Sequence, residues 1–330
     1  MKAAFIRSTG AADTIQFGDL PKPTPAEHQV LVRVEAVSVN PIDTYIRSGA
    51  VAMQLPSPFI IGCDMAGVVE ALGSAVTDLA IGTRVWASNQ GLLGRQGTFA
   101  EYIAVDRDWL HVLPDQVDAK DAAACALVGI TAHLGLFSHA RLHHNETILV
   151  IGGAGGVGSM VVQMAKAAGA RVIATAGSEE KAEACHRLGA DEVILHRQQS
   201  IGETTKAIAP EGVNVFWETR REPDFDLAVD VMAPRGRMVL MAGRDARPAF
   251  PVGPFYVKEC SLHGFVMFKA SPEEVRAAGI DISGWLAEGK LKSNIGQLLP
   301  LEQAAKAHQL QEDATIRGGG NLKGKIVLTV

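Results

Sequence analysis

The chain of 330 residues has only four cysteines, no long unbroken apolar run and no large surplus of one charge sign. Each shortage excludes something. Cys63, Cys125, Cys185 and Cys260 lie far apart, so none has metal-ligand spacing and they form no disulfide framework; they read as buried, reduced thiols. No stretch is long enough to cross a bilayer, and no apolar leader segment follows Met1-Lys-Ala-Ala-Phe-Ile-Arg. The expectation is therefore a cytoplasmic protein without a membrane span. The net charge is −5 with acids and bases interspersed, which argues against nucleic acid or an anionic membrane as the main partner. The sequence carries neither an aromatic-basic stripe for RNA nor a Ser-His-Asp signature. What is present, 47% hydrophobic and 20% charged residues, is a globular composition, and the length favours two domains over one core.

The most informative stretch is Glu146-Thr-Ile-Leu-Val-Ile-Gly-Gly-Ala-Gly-Gly-Val-Gly158. An apolar run, Ile148 to Ile151, reads as a strand buried on both faces. It leads into Gly153-x-Gly155-x-x-Gly158, then a helical pattern from Ser159 to Ala168 stopped by Gly169, then a strand from Arg171 to Thr175. Strand, glycine turn, helix and strand is the context in which this fingerprint binds a dinucleotide. Gly153 is expected to make the tight turn, Gly155 to let the backbone approach a pyrophosphate, and Gly158 to let helix and strand pack closely. Gly153, Ala154, Gly155, Gly156, Val157 and Gly158 are thus candidate cofactor contacts, at the positive end of a helix.

Upstream the pattern is β-rich, with glycine-punctuated short strands that suggest a barrel-like domain. Gln29 to Val39 alternates apolar and polar residues, predicting one buried face. Pro41 suits a helix start with Asn40 as its cap, and Gly49 suits its end. Downstream, helices are expected over 119–126 and 129–137. Further parallel strands are expected at 193–195, 213–217, 238–241 and near 260–266, separated by helices over 180–188, 201–208 and 224–232. Helices over 272–288 and 301–311 and a closing strand at 324–328 return to the character of the first part. The expected organisation is an α/β chain. Residues 1–122 begin a β domain, 123–264 form a doubly wound nucleotide domain, and 265–330 complete the β domain.

Several motifs occur together in order: Asn40-Pro-x-Asp-x-x-Ile-Arg-x-Gly49, Gly62-Cys-Asp-Met-Ala-Gly-Val-Val69, Gly82-x-Arg-Val85, the glycine loop, and Gly324-Lys-Ile-Val327. Over nearly its whole length the chain resembles the zinc-free quinone oxidoreductases of the medium-chain dehydrogenase/reductase superfamily, the zeta-crystallin-like group. The resemblance implies a GroES-like β-barrel domain and a Rossmann domain with a cleft between them. It also implies reduction of quinones or α,β-unsaturated carbonyls with NADPH, and a homodimer. One route to the dimer is edge pairing through Arg237 to Met241. Zinc alcohol dehydrogenases of the superfamily place a cysteine ligand about where Asn40 stands and a His-Glu pair where Cys63-Asp64 stands. A catalytic zinc needs about three N, S or O protein ligands, so no metal is expected.

For the cofactor, no carboxylate stands directly at the tip of Val172-Ile-Ala-Thr, where an NAD site usually carries one. Gly177, Ser178, Lys181, His196 and Arg197 are instead candidates to hold the adenosine end and a 2′-phosphate. Ser178 is also a helix cap, Glu179 and Glu180 weigh against a phosphate, and Arg197 also reads as a solvated loop charge. By resemblance, positions lining the nicotinamide are Asn40, Tyr45, Thr131, the Met241-Ala242-Gly243-Arg244 turn, Phe265-Val266-Met267 and Asn321. Asn40, Tyr45 and Thr131 are the candidate catalytic residues. Tyr45 could hydrogen-bond a substrate oxygen or deliver a proton, and it reads equally as an aromatic anchoring its helix. Asp43 and Arg47, one turn apart, are expected to pair with each other. Met53, Trp86, Phe255, Phe265 and Phe268 are apolar candidates for a pocket rim or for core. Ala50-Val51 stands where close relatives often carry a tyrosine, which loosens the expectation of a quinone against an enone. Zeta-crystallin-like proteins also include structural and RNA-binding roles, the non-enzymatic alternative.

Overall fold

The structure is a computed structural model in which residues 1–316 and 322–330 are described; Asn321 lies outside them. The chain divides into two compact units: Met1–Leu127 with Ala270–Val330, and Val128–Lys269 inserted between those segments.

The first unit begins with β1 (Lys2–Ile6), β2 (Gln16–Asp19), β3 (Gln29–Val39), α1 (Pro41–Ser48), β4 (Phe59–Ile60), β5 (Asp64–Leu72), β6 (Arg84–Ala87), β7 (Tyr102–Asp106) and β8 (Leu110–Val112). Next, α2 (Ala119–His133) carries the chain into the second unit, which contains β9 (Thr147–Val150), α3 (Gly156–Ala167), β10 (Arg171–Ala176), α4 (Glu179–Arg187), β11 (Glu192–Leu195), α5 (Ile201–Ile208), β12 (Val213–Glu218), α6 (Phe225–Val231), β13 (Met232–Leu240), α7 (Val252–Val257) and β14 (Ser261–Gly264). The chain then returns to the first unit with α8 (Pro272–Ala287), β15 (Ile295–Pro300), α9 (Ala304–Thr315) and β16 (Lys325–Thr329).

Strand β3 is the hub of the first unit. It pairs antiparallel with β5, β7 and β16 in a sheet ordered β15-β16-β3-β5-β6-β8. Its central place explains a departure from the sequence pattern: both faces are covered, and only Arg33 is exposed. In the second unit six parallel strands run in the order β11-β10-β9-β12-β13-β14. All six strands are parallel and so end along one edge of the sheet, and the winding reverses between β9 and β12, the place where ligands bind in doubly wound sheets. This is the GroES-like plus doubly wound parallel architecture expected from the sequence.

Three local expectations are corrected. The two helices expected on either side of residue 128 are one, α2, prolonged by a π-helical segment, Leu134–His139; a glycine inside a helix costs only about 1 kcal/mol and need not end it. Residues 119–139 are then long and apolar enough to cross a membrane, contrary to the expectation of no such stretch, but they are largely buried within the protein, as a core helix is. Finally, Arg237 to Met241 cannot supply a sheet edge, because β13 lies between β12 and β14; the edge strand is β14.

Helix α1 is held by buried polar contacts. Pro41 sits in its first turn and Gly49, in the left-handed region at φ +82°, ends it. The expected Asp43–Arg47 pair is not formed. Asp43 Oδ2 accepts the Asn40 N–H (2.7 Å), while Arg47, wholly buried, pairs with Glu312 of α9 and donates to the Gly10 carbonyl. Beneath the helix start, Asp64 accepts from Ser38 Oγ (2.9 Å), Asn40 Nδ2 (2.7 Å) and Ser88 Oγ (2.6 Å). Lys325 of β16 donates to the Val39 carbonyl (2.8 Å) and to Asn40 Oδ1. Burial pushes the Asp64 carboxyl up and the Lys325 ammonium down, each opposed by the other's charge. Burial pushes Asp43 up to about 7; the neighbouring Cys63 thiol opposes the rise and the Asp64 charge adds to it.

Two measurements test this arrangement. Arg47→Met strands the mostly buried Glu312 and is expected to cost about 3 kcal/mol in urea denaturation. Asp43, protonated in the folded state up to about pH 7, loses its proton on unfolding, so it makes stability fall as pH rises from about 4 to 7. His308 and His111, pushed down to about 3 and about 4 by burial, act in the opposite sense below pH 6.5. The stability of Asp43→Asn relative to the wild-type chain is therefore the clean quantity, and it should rise across pH 4–7 and level off above.

Candidate coenzyme-binding and active site

In the second unit the sequence candidates gather at the carboxyl ends of the parallel strands. After β9 comes the glycine loop. The tight turn belongs to Gly152, at φ +76°, and not to Gly153. Gly153 instead packs where no side chain fits: a Cβ there would lie 2.7 Å from Ala174 Cβ and 3.0 Å from Cys185 Sγ. The Thr175 hydroxyl accepts the Gly152 N–H (2.9 Å), and its carbonyl accepts the Gly153 N–H (3.1 Å), tying the loop to β10. A Cβ on Gly158 would sit 2.2 Å from the Gly152 carbonyl oxygen. Ala154 and Val157 are half-buried, whereas Gly155 and Gly156 are exposed at the start of α3. Gly155 is its N-cap, and no side chain caps the helix. Bare backbone facing out at the positive end of a helix is what a pyrophosphate requires, so these residues fit a dinucleotide.

The ends of β10 and β11 lie side by side. A Cβ on Gly177 would be 3.1 Å from His196 Nε2 and 3.7 Å from Arg197 Nε. The Ser178 hydroxyl accepts from the Lys181 N–H (3.4 Å) as the N-cap of α4, with Glu179 and Glu180 in its first turn. Ser178, Lys181, His196 and Arg197 are all exposed. At the other end of the sheet, Gly243, at φ +85°, lies between Ala242 and Arg244 in a turn; a Cβ on it would meet the Arg221 carbonyl at 2.7 Å. Phe265 donates its N–H to Leu240 (3.3 Å), and its ring stacks on His139 of the π-helical segment at 4.6 Å. Val266 beside it is exposed and Met267 is buried. Thr131 is buried in α2.

Asn40 and Tyr45 belong to the first unit. Asn40 is wholly buried and its amide is engaged at both ends, by Lys325 and Asp64, so in this structure its side chain faces protein and not ligand. Tyr45 is half-buried on α1 between the buried Thr44 and Ile46. Two of the candidate rim aromatics are core. Trp86 is fully buried, with Nε1 donating to Ser283 Oγ (3.0 Å), and Phe255 packs against the core of the second unit. Among the described residues, no three His, Cys, Asp or Glu side chains group as metal ligands; the Asn40, Cys63 and Asp64 positions are bound into the Lys325 cluster.

Sequence reasoning missed five participants. Gly152 precedes the fingerprint, between the expected strand end at Ile151 and the turn assigned to Gly153. Thr175 looks like any β-branched strand residue. Glu218 and Thr219 close β12: Thr219 Oγ donates to the Ile151 carbonyl (2.6 Å), fastening that strand's end to the glycine loop. The signal for Glu218 was local, an acid at a strand end two residues before Arg220. The signal for Lys325, a lysine opening an apolar strand, carries no hint of its partners.

Comparison with known proteins agrees with this architecture. The GroES-like domain of the alcohol dehydrogenases matches residues 26–115, and the zinc-binding dehydrogenase family matches residues 156–282. A quinone oxidoreductase of Homo sapiens is 31% identical over 330 residues, covering 99% of this chain and 97% of its own length. Among solved structures, an Escherichia coli quinone oxidoreductase complexed with NADPH superposes with a TM-score of 0.85 at 27% identity, covering 100% of both chains. A 2-haloacrylate reductase superposes at 0.84 and 27%, covering 100% of this chain and 99% of its own. By sequence over its full length and by fold, the chain belongs to the quinone oxidoreductase family of the medium-chain dehydrogenase/reductase superfamily.

Proposed function

We propose that the protein is a metal-independent reductase that binds NADPH and reduces a quinone. The observation that carries the coenzyme choice is the pairing of the β10 and β11 ends, where Ser178, Lys181, His196 and Arg197 lie exposed around Gly177. A 2′-phosphate would meet hydroxyl and cationic groups there, and no carboxylate stands between the end of β10 and Ser178. Gly153 to Gly158 would hold the pyrophosphate, with Ala242, Gly243, Arg244, Phe265, Val266, Met267 and Thr131 lining the nicotinamide half. The bound coenzyme would supply the hydride. The chain's own part is to position it and the acceptor, and positioning alone accounts for a large share of such a rate. Tyr45, partly exposed on α1, would hydrogen-bond the acceptor oxygen or give it a proton. Asn40 acts through the helix it begins, as a positioning residue.

A second reading is favoured by the likeness to a 2-haloacrylate reductase, whose substrate is an α,β-unsaturated acid, and by Ala50-Val51 in place of an aromatic wall. Under that reading the acceptor is an enone or 2-alkenal, and the enolate formed needs a proton, which raises the demand on Tyr45. For the quaternary structure, β14 leaves an open edge with Leu262 exposed, and Val252, Tyr256 and Val257 on α7 are exposed as well. We infer a homodimer through this edge.

Initial rates with NADPH and NADH against 1,2- and 1,4-quinones, 2-alkenals and cyclic enones, with and without EDTA, test the reading. Faster turnover with NADPH, unaffected by chelation, is expected. Equal rates with NADH would overturn the coenzyme choice. Tyr45→Phe should slow enone reduction at least tenfold and quinone reduction less, since quinones can take protons from water. Leu262→Glu should shift the chain to monomer in sedimentation; an unchanged mass would exclude the β14 edge.

A further inference from the structure

At the reversal of winding stands a group that the reading above does not use. Glu218, the last residue of β12, has a fully buried side chain. Its carboxylate takes one edge of the Arg220 guanidinium, accepting from Nε at 2.9 and 3.1 Å and from Nη2 at 2.7 Å. It also accepts the Arg220 N–H (2.9 Å) and the Asp224 N–H (3.4 Å), so the loop after β12 folds around it. Between the two residues, Thr219 bonds Ile151 and would touch a Cβ on Gly152 at 2.8 Å. Arg220 therefore stands one residue from a direct contact with the turn that opens the glycine loop. Its side chain is 35% exposed, and among the described residues no acceptor takes Nη1.

A guanidinium held along one edge by a buried acid presents its other edge in a fixed direction. Its rotamer freedom is already spent on folding, so less is lost when a ligand binds. The carboxyl ends of β9 and β12 flank the crevice where a dinucleotide crosses the sheet, and the atoms there that suit a planar two-donor edge are phosphate oxygens. We propose that Arg220, clamped by Glu218, is a phosphate-binding residue for the coenzyme. This rests on the dinucleotide reading of the glycine loop. It adds a cation on the β12 side of that loop, opposite Lys181 and Arg197 on the β10 and β11 side.

The competing role is local: Arg220 as nothing more than the counter-charge of Glu218. The test separates the two. NADPH and NADH are titrated by fluorescence into the intact chain at low and physiological salt, for wild type, R220K and the double variant E218Q/R220M. The double variant removes both charges and strands neither; R220K keeps the pair. Binding to the double variant is expected to weaken about tenfold, the loss of one charge-assisted hydrogen bond, with a shallower salt dependence, and R220K should fall between. Equal loss for both coenzymes assigns Arg220 to the pyrophosphate, and loss confined to NADPH assigns it to the 2′-phosphate. A double variant that binds both coenzymes as the wild type does, with the same salt response, overturns the proposal. A wild type that binds neither coenzyme overturns the dinucleotide reading and this proposal together.

Discussion

The constraint on which the second unit's loop depends is the approach of the α3 backbone to the turn before it. A Cβ at position 158 would lie 2.2 Å from the Gly152 carbonyl oxygen, which no side chain tolerates. That contact sets where α3 begins, and so where its uncapped, positive end opens. The rest of the site follows from it. The turn at Gly152 is fastened to β10 through Thr175 and to β12 through Thr219, so both neighbouring strands end at the same height as the loop. Parallel pairing then brings the ends of β11, β13 and β14 to the same edge. The open backbone of the loop and the side chains at the adjoining strand ends are thereby gathered along one edge of the sheet.

In the first unit the equivalent constraint is electrostatic. Asp64 and Lys325 are both buried, and neither could be there charged and alone, because an isolated buried charge costs several kcal/mol. The ammonium and the carboxylate are balanced through the Asn40 amide, which donates to one and accepts from the other. The amide is thus oriented without ambiguity, and the helix bearing Tyr45 starts at a defined place.

Local features were legible in the sequence, and choices of distant partner were not. The glycine loop and the limits of α1, with proline after Asn40 and glycine at 49, follow from what those residues do to their own backbone. The whole-chain motifs were enough to name the architecture. Arg47 shows the limit. Its spacing from Asp43 predicted an ion pair within the helix, but the two side chains leave on different sides, toward Glu312 and toward the helix start. Nothing near position 47 encodes a partner 265 residues away. Lys325 fails for the same reason, 285 residues from Asn40. Gly152 was passed over for a different reason: consecutive glycines admit two alignments of the turn, and only the fold selects between them. Arg220 was hidden because an acid and a base two residues apart look like surface charges until the acid is known to be buried.

The return of the chain to its first unit has a temporal consequence. The second unit is one uninterrupted segment, 128–269, whose strands and helices all come from neighbouring stretches, so it can mature while the ribosome is still working. The first unit cannot. Its central strand β3 waits for β16, and the acids beneath α1 wait for the ammonium that arrives at residue 325. Until those last residues emerge, Asp64 has no cation and α1 has no settled start. The nascent protein can therefore hold a finished second unit while its first unit still waits for its closing strand.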